Sequence, residues 1–466
     1  MSPTLIKIYH SLPPFARDWA ASARGLQLRR WRYGPETQQL VEEALEREAW
    51  TAKQWADWQK VRLVEILHRA ATRVPYYRNL WATRRRGGDT RLWEDLANWP
   101  VLSKPSVRAN PEAFVADDCD TRRMFCDHTS GTSGTPLNIF LKKPTVHYWY
   151  ALMEARVRLL NGVSRHSRWA ILGGQQIIPP GTNTAPFWVH NWAGNQLYLS
   201  ANHVSAQNAL AFYKKLEGFK PTHLITYSSS AAALAREFTA QGLKCSTIRV
   251  AISNAEPLLP SQRACIMDSI APQVRETYGM GEVVAGASEC AHGGLHLWPE
   301  AGYLEVFKDD FSAPVADGEA GTFICTGLLN PDMPLIRYAV GDRGVAPEWG
   351  RRCRCGRTLP LLKAIEGRNT DVLLTADGRQ VFWINPIFYG LPLAEGQLVQ
   401  EQVRRFTVNL VPAPGFSTAH EDIIKARLID RVGEADVNFN RMVKIPTGPN
   451  GKFKPVISLV ATEGNS

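Results

Sequence analysis

His128-Thr129-Ser130-Gly131-Thr132-Ser133-Gly134-Thr135-Pro136 packs five hydroxyls and two glycines into one short run. Glycines let a backbone come close to a ligand and turn its amides toward it. Hydroxyls add uncharged donors that suit phosphate oxygens. No lysine follows Gly134, so the run is not a Walker-type loop. By composition alone it also suits a flexible Ser/Thr/Gly hairpin.

The flanking sequence sets this loop in an α/β protein. Downstream, Trp169-Ala170-Ile171-Leu172, Leu224-Ile225-Thr226 and Val250-Ala251-Ile252 are short apolar runs. Helical patterns at 206–217, 230–241 and 261–269 separate them, and that alternation predicts a layered, largely parallel sheet. Upstream, the first hundred residues read as a mostly helical leader. Thr51-Ala52-Lys53-Gln54 has the form of a capping box. Trp58, Val61, Val64, Leu67 and Ala71 follow at helical spacing, predicting the buried face of a helix that Pro75 stops. After residue 300 come shorter strand-like pieces at 302–306, 322–326 and 335–338. Residues 400–410 alternate as one strand, followed by a helix over 419–432 and a last strand near 456–460. These predict a large N-terminal domain, 1–366, and a small α+β domain, 367–466.

Composition narrows the class. The chain has 466 residues, ordinary apolar content and no run long enough to span a bilayer. The N-terminal residues lack the apolar core of a secretory signal, so the expectation is a cytoplasmic protein. Its formal charge of +10 concentrates at Arg24, Arg29, Arg30 and Arg32 and at Arg84, Arg85 and Arg86. Such clusters are ordinarily solvated basic faces, and docking to an anionic membrane surface is the functional alternative. No recognition-helix pattern accompanies them, so nucleic acid is not an expected partner. The fifteen tryptophans, scattered as they are, read as packing residues. Cys119, Cys126, Cys245, Cys265 and Cys325 are isolated and read as apolar fillers.

Further motifs follow the loop in order: Tyr278-Gly279-Met280-Gly281-Glu282, Arg337-Tyr338-Ala339-Val340-Gly341-Asp342, Glu366-Gly367-Arg368-Asn369-Thr370-Asp371 and Gly451-Lys452-Phe453-Lys454. The ordered set resembles the adenylate-forming enzymes, and within them the phenylacetate–CoA ligase family. Ile8-Tyr9-His10-Ser11-Leu12-Pro13-Pro14, Val74-Pro75-Tyr76-Tyr77-Arg78 and Leu398-Val399-Gln400-Glu401-Gln402 are similar to its CapK-type members, linked to capsular polysaccharide biosynthesis.

The resemblance implies ATP-dependent, AMP-forming activation of a carboxylic acid. Thr129, Ser130, Gly131, Thr132, Ser133, Gly134 and Thr135 would hold the β- and γ-phosphates. Ala255, Glu256 and Pro257 would border adenine, with Tyr278 and Gly279 against the purine. Glu282 would bind Mg²⁺, Asp342 the ribose hydroxyls, and Arg368 the ribose or phosphate. Lys452, on a mobile lid domain, would reach the attacked phosphate and acyl oxygen. The chemistry calls for such groups, because a carboxylate attacking the α-phosphorus forces two anions together. The resemblance also implies CoA as a candidate acceptor. Gly281 and Thr370 depart from the family pattern, which usually has a hydroxyl residue at the first position and Asp or Lys at the hinge. With the CapK-like leader, Thr370 favours an amine acceptor, such as an amino sugar of a polysaccharide precursor. A catalytically silent nucleotide- or polyanion-binding protein on the same fold is the alternative from another class, and Lys452 and Glu282 argue against it.

Cys290-Ala291-His292-Gly293-Gly294-Leu295-His296 and Cys353-Arg354-Cys355-Gly356 supply thiolate and imidazole ligands in a number that suits tetrahedral Zn²⁺. Cys290, His296, Cys353 and Cys355 are the expected set, with His292 as the substitute. Four protein ligands leave no position for water, so the role would be structural.

Overall fold

The computed structural model describes residues 3–460, apart from 129–136, 180–181, 317, 349, 351, 364, 369–372, 377–379, 382–383, 389 and 449–452. The hydroxyl-rich loop, Thr370 and Lys452 thus lie outside the described residues.

The chain opens with five helices, α1 (Pro3–Ser11), α2 (Pro14–Arg32), α3 (Thr37–Glu46), α4 (Ala52–Arg73) and α5 (Pro75–Arg86). The Thr51–Gln54 capping box forms as read: Thr51 Oγ1 accepts from the Gln54 amide and the Gln54 side chain accepts from the Thr51 amide. The buried face of α4 differs from the reading. Trp55, Gln59, Ile66, Leu67 and Ala70 are buried, whereas Val61 and Val64 are exposed. The apolar stripe runs along 55–59–66–70, and Gln59 is drawn inside because its amide donates to the Pro299 carbonyl at 2.9 Å. Pro75 does not simply stop α4. It starts α5 at its first position, where a missing amide proton costs nothing.

A helix α6 (Lys104–Ala109) precedes the hairpin of β1 (Phe125–His128) and β2 (Asn138–Leu141), which brackets the hydroxyl-rich loop. After α7 (Lys143–Leu152) come β3 (Trp169–Gly173), β4 (Trp188–Asn191), β5 (Gln196–Ser200), α8 (Ala206–Phe219), β6 (His223–Thr226), α9 (Ser228–Ala240), β7 (Val250–Ser253), α10 (Pro260–Ser269), β8 (Val274–Gly279), β9 (Gly286–Glu289) and β10 (Leu295–Leu297). With β14 (Leu361–Leu362) these strands form one sheet in the order β14-β10-β9-β8-β7-β6-β3-β5-β4. Its middle, β5-β3-β6-β7-β8, is parallel, with α8, α9 and α10 as crossovers. Alternate residues enter opposite cores: Ile225, Val250 and Ile252 join one, Leu224 and Ala251 the other. Covering on both faces explains why these strands read as continuous apolar runs.

A second sheet, antiparallel, orders β11 (Gly302–Phe307), β12 (Ala320–Gly327), β13 (Tyr338–Val345) and β15 (Ile365–Arg368). The strand expected at 335–338 starts only at Tyr338, because Arg337 has φ +47° and breaks the extended path. After the short pair β16 (Leu373–Leu374) and β17 (Gln380–Val381), the last segment holds β18 (Leu393–Gln402), β19 (Arg405–Pro412), α11 (Thr418–Val432), β20 (Asp436–Arg441) and β21 (Val456–Ser458). Its sheet order is β20-β19-β18-β21. The single strand expected over 400–410 is the two arms of a hairpin turning at Val403 and Arg404. The alternating pattern ran through the turn because both arms bury one face. This segment has its own core, from Leu373 to Val456.

The α/β architecture read from the sequence is thus present. No helix among the described residues is long and apolar enough to cross a membrane.

One buried ion-pair network ties the leader to the sheets. Arg156 is 1% exposed and grips both Glu300 oxygens at 2.7 and 2.9 Å while its Nε donates to Glu48 at 2.6 Å. Glu48 also pairs with Arg357 at 3.2 Å. Removing one partner from such a network leaves uncompensated buried charge. Arg156→Met should therefore lower unfolding free energy by about 3–5 kcal/mol in urea denaturation. A loss under about 1 kcal/mol would show that the network contributes little beyond packing.

Candidate functional site

The carboxyl ends of β6, β7 and β8 lie side by side, the position where open α/β sheets bind ligands. The segments at the ends of these strands gather there. Tyr227 follows β6 and leads into α9, Asn254-Ala255-Glu256-Pro257 follows β7, and Tyr278-Gly279 ends β8. Ala255 takes φ +62°, an uncommon conformation for a residue with a side chain.

Glu256 makes the most connected set of contacts in this region. Its Oε2 accepts from the Ser229 amide in the first turn of α9 at 3.0 Å, where the helix dipole favours an anion. Its Oε1 accepts from the Phe453 amide at 2.7 Å. Phe453 immediately follows Lys452 in the chain. A second contact joins the same two parts. Arg236 of α9 donates to the Ala394 carbonyl at 3.2 Å and to Glu395 at 2.8 Å. Glu256, expected beside a base, is thus also a docking point for the C-terminal segment.

Tyr278 and Asp342 come together as a pair. The phenol donates to Asp342 Oδ2 at 2.8 Å, and burial together with the Asp342 charge holds the phenol pKa well above its ordinary value. The proton therefore stays on Tyr278 and Asp342 accepts. Gly279 lies against Trp149, since a Cβ at this position would sit 3.3 Å from the indole. Asp342 stands opposite Arg368 in the β13–β15 register, which brings that arginine's backbone to the same edge.

Glu282 is buried and its Oε1 is shared by Lys104 Nζ at 2.8 Å and the Tyr338 hydroxyl at 3.0 Å. Burial and the Glu282 charge push the Tyr338 phenol up, so it too is a donor. Asp127, at the end of β1 beside the hydroxyl-rich loop, has its carboxyl raised by burial. On β8, burial and the Glu289 charge push Glu276 up to about 7.

Lys104 and the Tyr338 hydroxyl were not anticipated from sequence. Lys104 sits in an unremarkable Ser-Lys-Pro helix start capped by Ser103, and nothing there signals a carboxylate on another element. Tyr338 lies inside a quoted motif but reads as a core aromatic. Phe453 acts through its backbone amide, which leaves no trace in residue type.

Cys290, His296, Cys353 and Cys355 also come together, with their ligand atoms all within 4.8 Å of one another. Cys290 and Cys353 sulfurs are 3.7 Å apart, and Cys355 Sγ is 3.3 Å from His296 Nε2. Tetrahedral zinc with ordinary bond lengths would set such ligand pairs at about 3.5–3.8 Å. His296 Nδ1 bonds the Leu359 carbonyl at 3.1 Å, which directs Nε2 to the cluster. A Cβ on Gly294 would stand 3.0 Å from Cys353 Sγ and 3.4 Å from Cys290 Sγ, so glycine keeps the space open. His292, the substitute ligand, is exposed and outside the cluster. Of the five cysteines read as apolar fillers, Cys245 and Cys325 are buried and Cys126 and Cys265 partly so, whereas Cys119 sits in a polar cluster, its Sγ 3.3 Å from Asp332 Oδ1 and 3.4 Å from Asp118 Oδ1.

With this geometry in view, the likeness to known proteins is specific. Residues 373–459 match the CapK C-terminal domain. The chain is 26% identical to Protein CapK of Staphylococcus aureus, covering 77% of this chain and 79% of that protein. It is 24% identical to the phenylacetate-coenzyme A ligase of Thermus thermophilus, covering 68% and 71%. Among solved structures it resembles 2-hydroxyisobutyryl-CoA ligase in the postadenylation state in complex with R3-HIB-AMP, with a TM-score of 0.66 at 18% identity, covering 89% of this chain and 91% of that one. The chain has the adenylate-forming fold, and its resemblance to CapK and phenylacetate–CoA ligase holds.

Proposed function

We propose that this chain is an ATP-dependent, AMP-forming acid ligase that makes an acyl-adenylate and passes the acyl group to an acceptor. A substrate carboxylate oxygen attacks the α-phosphorus, an acyl–phosphate bond forms, and the bond to pyrophosphate breaks. The observation that carries this reading is the Phe453–Glu256 contact, which brings the residue next to Lys452 to the carboxyl ends of the sheet. Lys452 would supply a compact positive charge where negative charge accumulates. Asp342, oriented by Tyr278, has the acceptor oxygens for ribose hydroxyls. Thr129 to Thr135 would contact the polyphosphate, and Arg368 the ribose or phosphate.

Mg²⁺ fits Glu282, a buried carboxylate of the kind a hard cation prefers, and when bound it would offset charge on the polyphosphate. Lys104 pairs with Glu282 at 2.8 Å. The expected boundary at 366/367 falls inside β15, paired with β13, so the hinge of a lid would be Thr370 beyond that strand, and closure would gate the reaction.

The acceptor follows from the second half-reaction, in which a nucleophile attacks the acyl carbon and AMP leaves. Thr370 favours an amine, such as that of an amino sugar in a surface polysaccharide precursor. CoA is the second reading, favoured by the named activity of the phenylacetate-coenzyme A ligase relative. Supplying ATP and the cognate acid with either acceptor distinguishes an amide from a thioester by mass spectrometry.

Zn²⁺ would be held by Cys290, His296, Cys353 and Cys355, and would clip the turn after β9 to the loop before β14. Purified, chelator-washed protein should carry about one zinc per chain, and Cys353→Ser should lower both zinc content and thermal stability. Metal-free protein of equal stability would contradict this assignment.

The adenylation reading is tested by pyrophosphate exchange with ATP across aryl, fatty and hydroxy acids. At least one acid should support exchange, and Lys452→Ala should reduce it by about 100-fold or more while nucleotide affinity changes little. Full exchange in the variant would remove Lys452 from the chemistry, and silence with every acid would favour the non-catalytic alternative.

A further inference from the structure

Among the described residues, the expectation that the tryptophans are packing residues fails at two positions. Trp55, Trp99 and Trp298 are fully buried, but Trp19 and Trp192 are 65% and 50% exposed and touch each other with ring centroids 4.9 Å apart. They belong to a larger outward face. On α2, Phe15, Trp19 and Leu26 are exposed at helical spacing, and Ile8 of α1 is exposed as well.

This face is held rigidly. The adjoining side of α2 docks on β4, the edge strand of the large sheet, and on the turn after it. Asp18 accepts from the His190 amide at 2.8 Å, and Ser22 Oγ accepts from the Trp192 amide at 3.0 Å. Gly25 permits the close approach, since a Cβ there would lie 2.1 Å from Asn191 Oδ1. The helix therefore cannot roll its apolar residues inward.

Charge identifies what the face meets. Among the first 32 residues the basic side chains are Lys7, Arg17, Arg24, Arg29, Arg30 and Arg32, and the sole acid is Asp18, engaged by His190. Arg29 and Arg30, three and four residues after Leu26, are exposed beside the apolar stripe, and Lys7 and Arg24 are exposed elsewhere on α1 and α2, whereas Arg32 lies over the Tyr150 ring. We propose that the outward face of α1 and α2, with Trp192, docks the protein on an anionic lipid bilayer. Phe15, Trp19, Trp192 and Ile8 enter the headgroup boundary while the cations meet lipid phosphates. A second copy of the chain fits less well, because an isologous contact would press this basic face against itself. A soluble polyanion gives no use for exposed indole and phenyl rings.

The test is co-sedimentation of the full chain with vesicles of phosphatidylcholine alone and of phosphatidylcholine mixed with phosphatidylglycerol. Binding is expected only to the anionic vesicles, weakening with salt, and with a blue shift in tryptophan emission. Phe15→Ser/Trp19→Ser should abolish the shift and most binding. Arg24→Gln/Arg30→Gln should weaken partitioning by about 30-fold, from two surface cations. Both pairs are exposed, and circular dichroism and melting curves will verify that the variants fold. Absence of binding to anionic vesicles by the folded wild type would overturn the proposal. So would equal binding to neutral vesicles, or a dimer in sedimentation velocity that Trp19→Ser dissociates.

Discussion

Two backbone amides from distant parts of the chain converge on one carboxylate. Ser229 opens α9 beneath the sheet's carboxyl edge, Phe453 precedes the last strand of the C-terminal segment, and Glu256 accepts from both. A carboxylate can serve two donors because it has two oxygens, and bonds to a charged acceptor are stronger than neutral ones. The Arg236–Glu395 pair, between the same two parts, gives the contact a second fixed point. Much of the functional reading depends on this arrangement. Without it, the C-terminal Gly-Lys motif would belong to a separate folded segment with no stated relation to Tyr278 and Asp342.

The rest of the molecule makes that convergence reproducible. A parallel sheet buried on both faces sets the ends of β6, β7 and β8 at fixed spacing, and its crossovers send every intervening loop to one of two edges. The antiparallel sheet then brings Asp342 to the Tyr278 hydroxyl from outside. Buried charge supplies further constraint: Glu282 is held by Lys104 and Tyr338, and Arg156 is held by Glu48 and Glu300. The Lys104–Glu282 and Arg156–Glu300 pairs each tie an earlier segment to a later one.

What could be read from the sequence was what local pattern encodes. The apolar runs of β3, β6 and β7, the capping box at Thr51 and the cysteine–histidine spacing all concern residue type at short range. Phase was less legible. On α4 the stripe through Val61 and Val64 was as periodic as the true one, which turns inward with Trp55, Ile66 and Ala70 and with the Gln59 amide bonded to Pro299. A turn between two half-buried strands likewise leaves alternation almost unbroken, so β18 and β19 read as one. Lys104 and the Phe453 amide were invisible for a different reason. Their roles are set by tertiary partners, one through a long flexible side chain and the other through a backbone group common to all residues but proline.

That last property offers the most direct test of the account. Phe453→Pro removes the amide proton that the C-terminal segment donates to Glu256 while leaving the neighbouring Lys452 in the sequence. Acid-dependent pyrophosphate exchange should be measured for Phe453→Pro, Glu256→Gln and the double variant. The account predicts a loss of about tenfold or more in each single variant, and a double variant no worse than the more affected single one. Fully additive losses, or exchange untouched by Phe453→Pro, would contradict it.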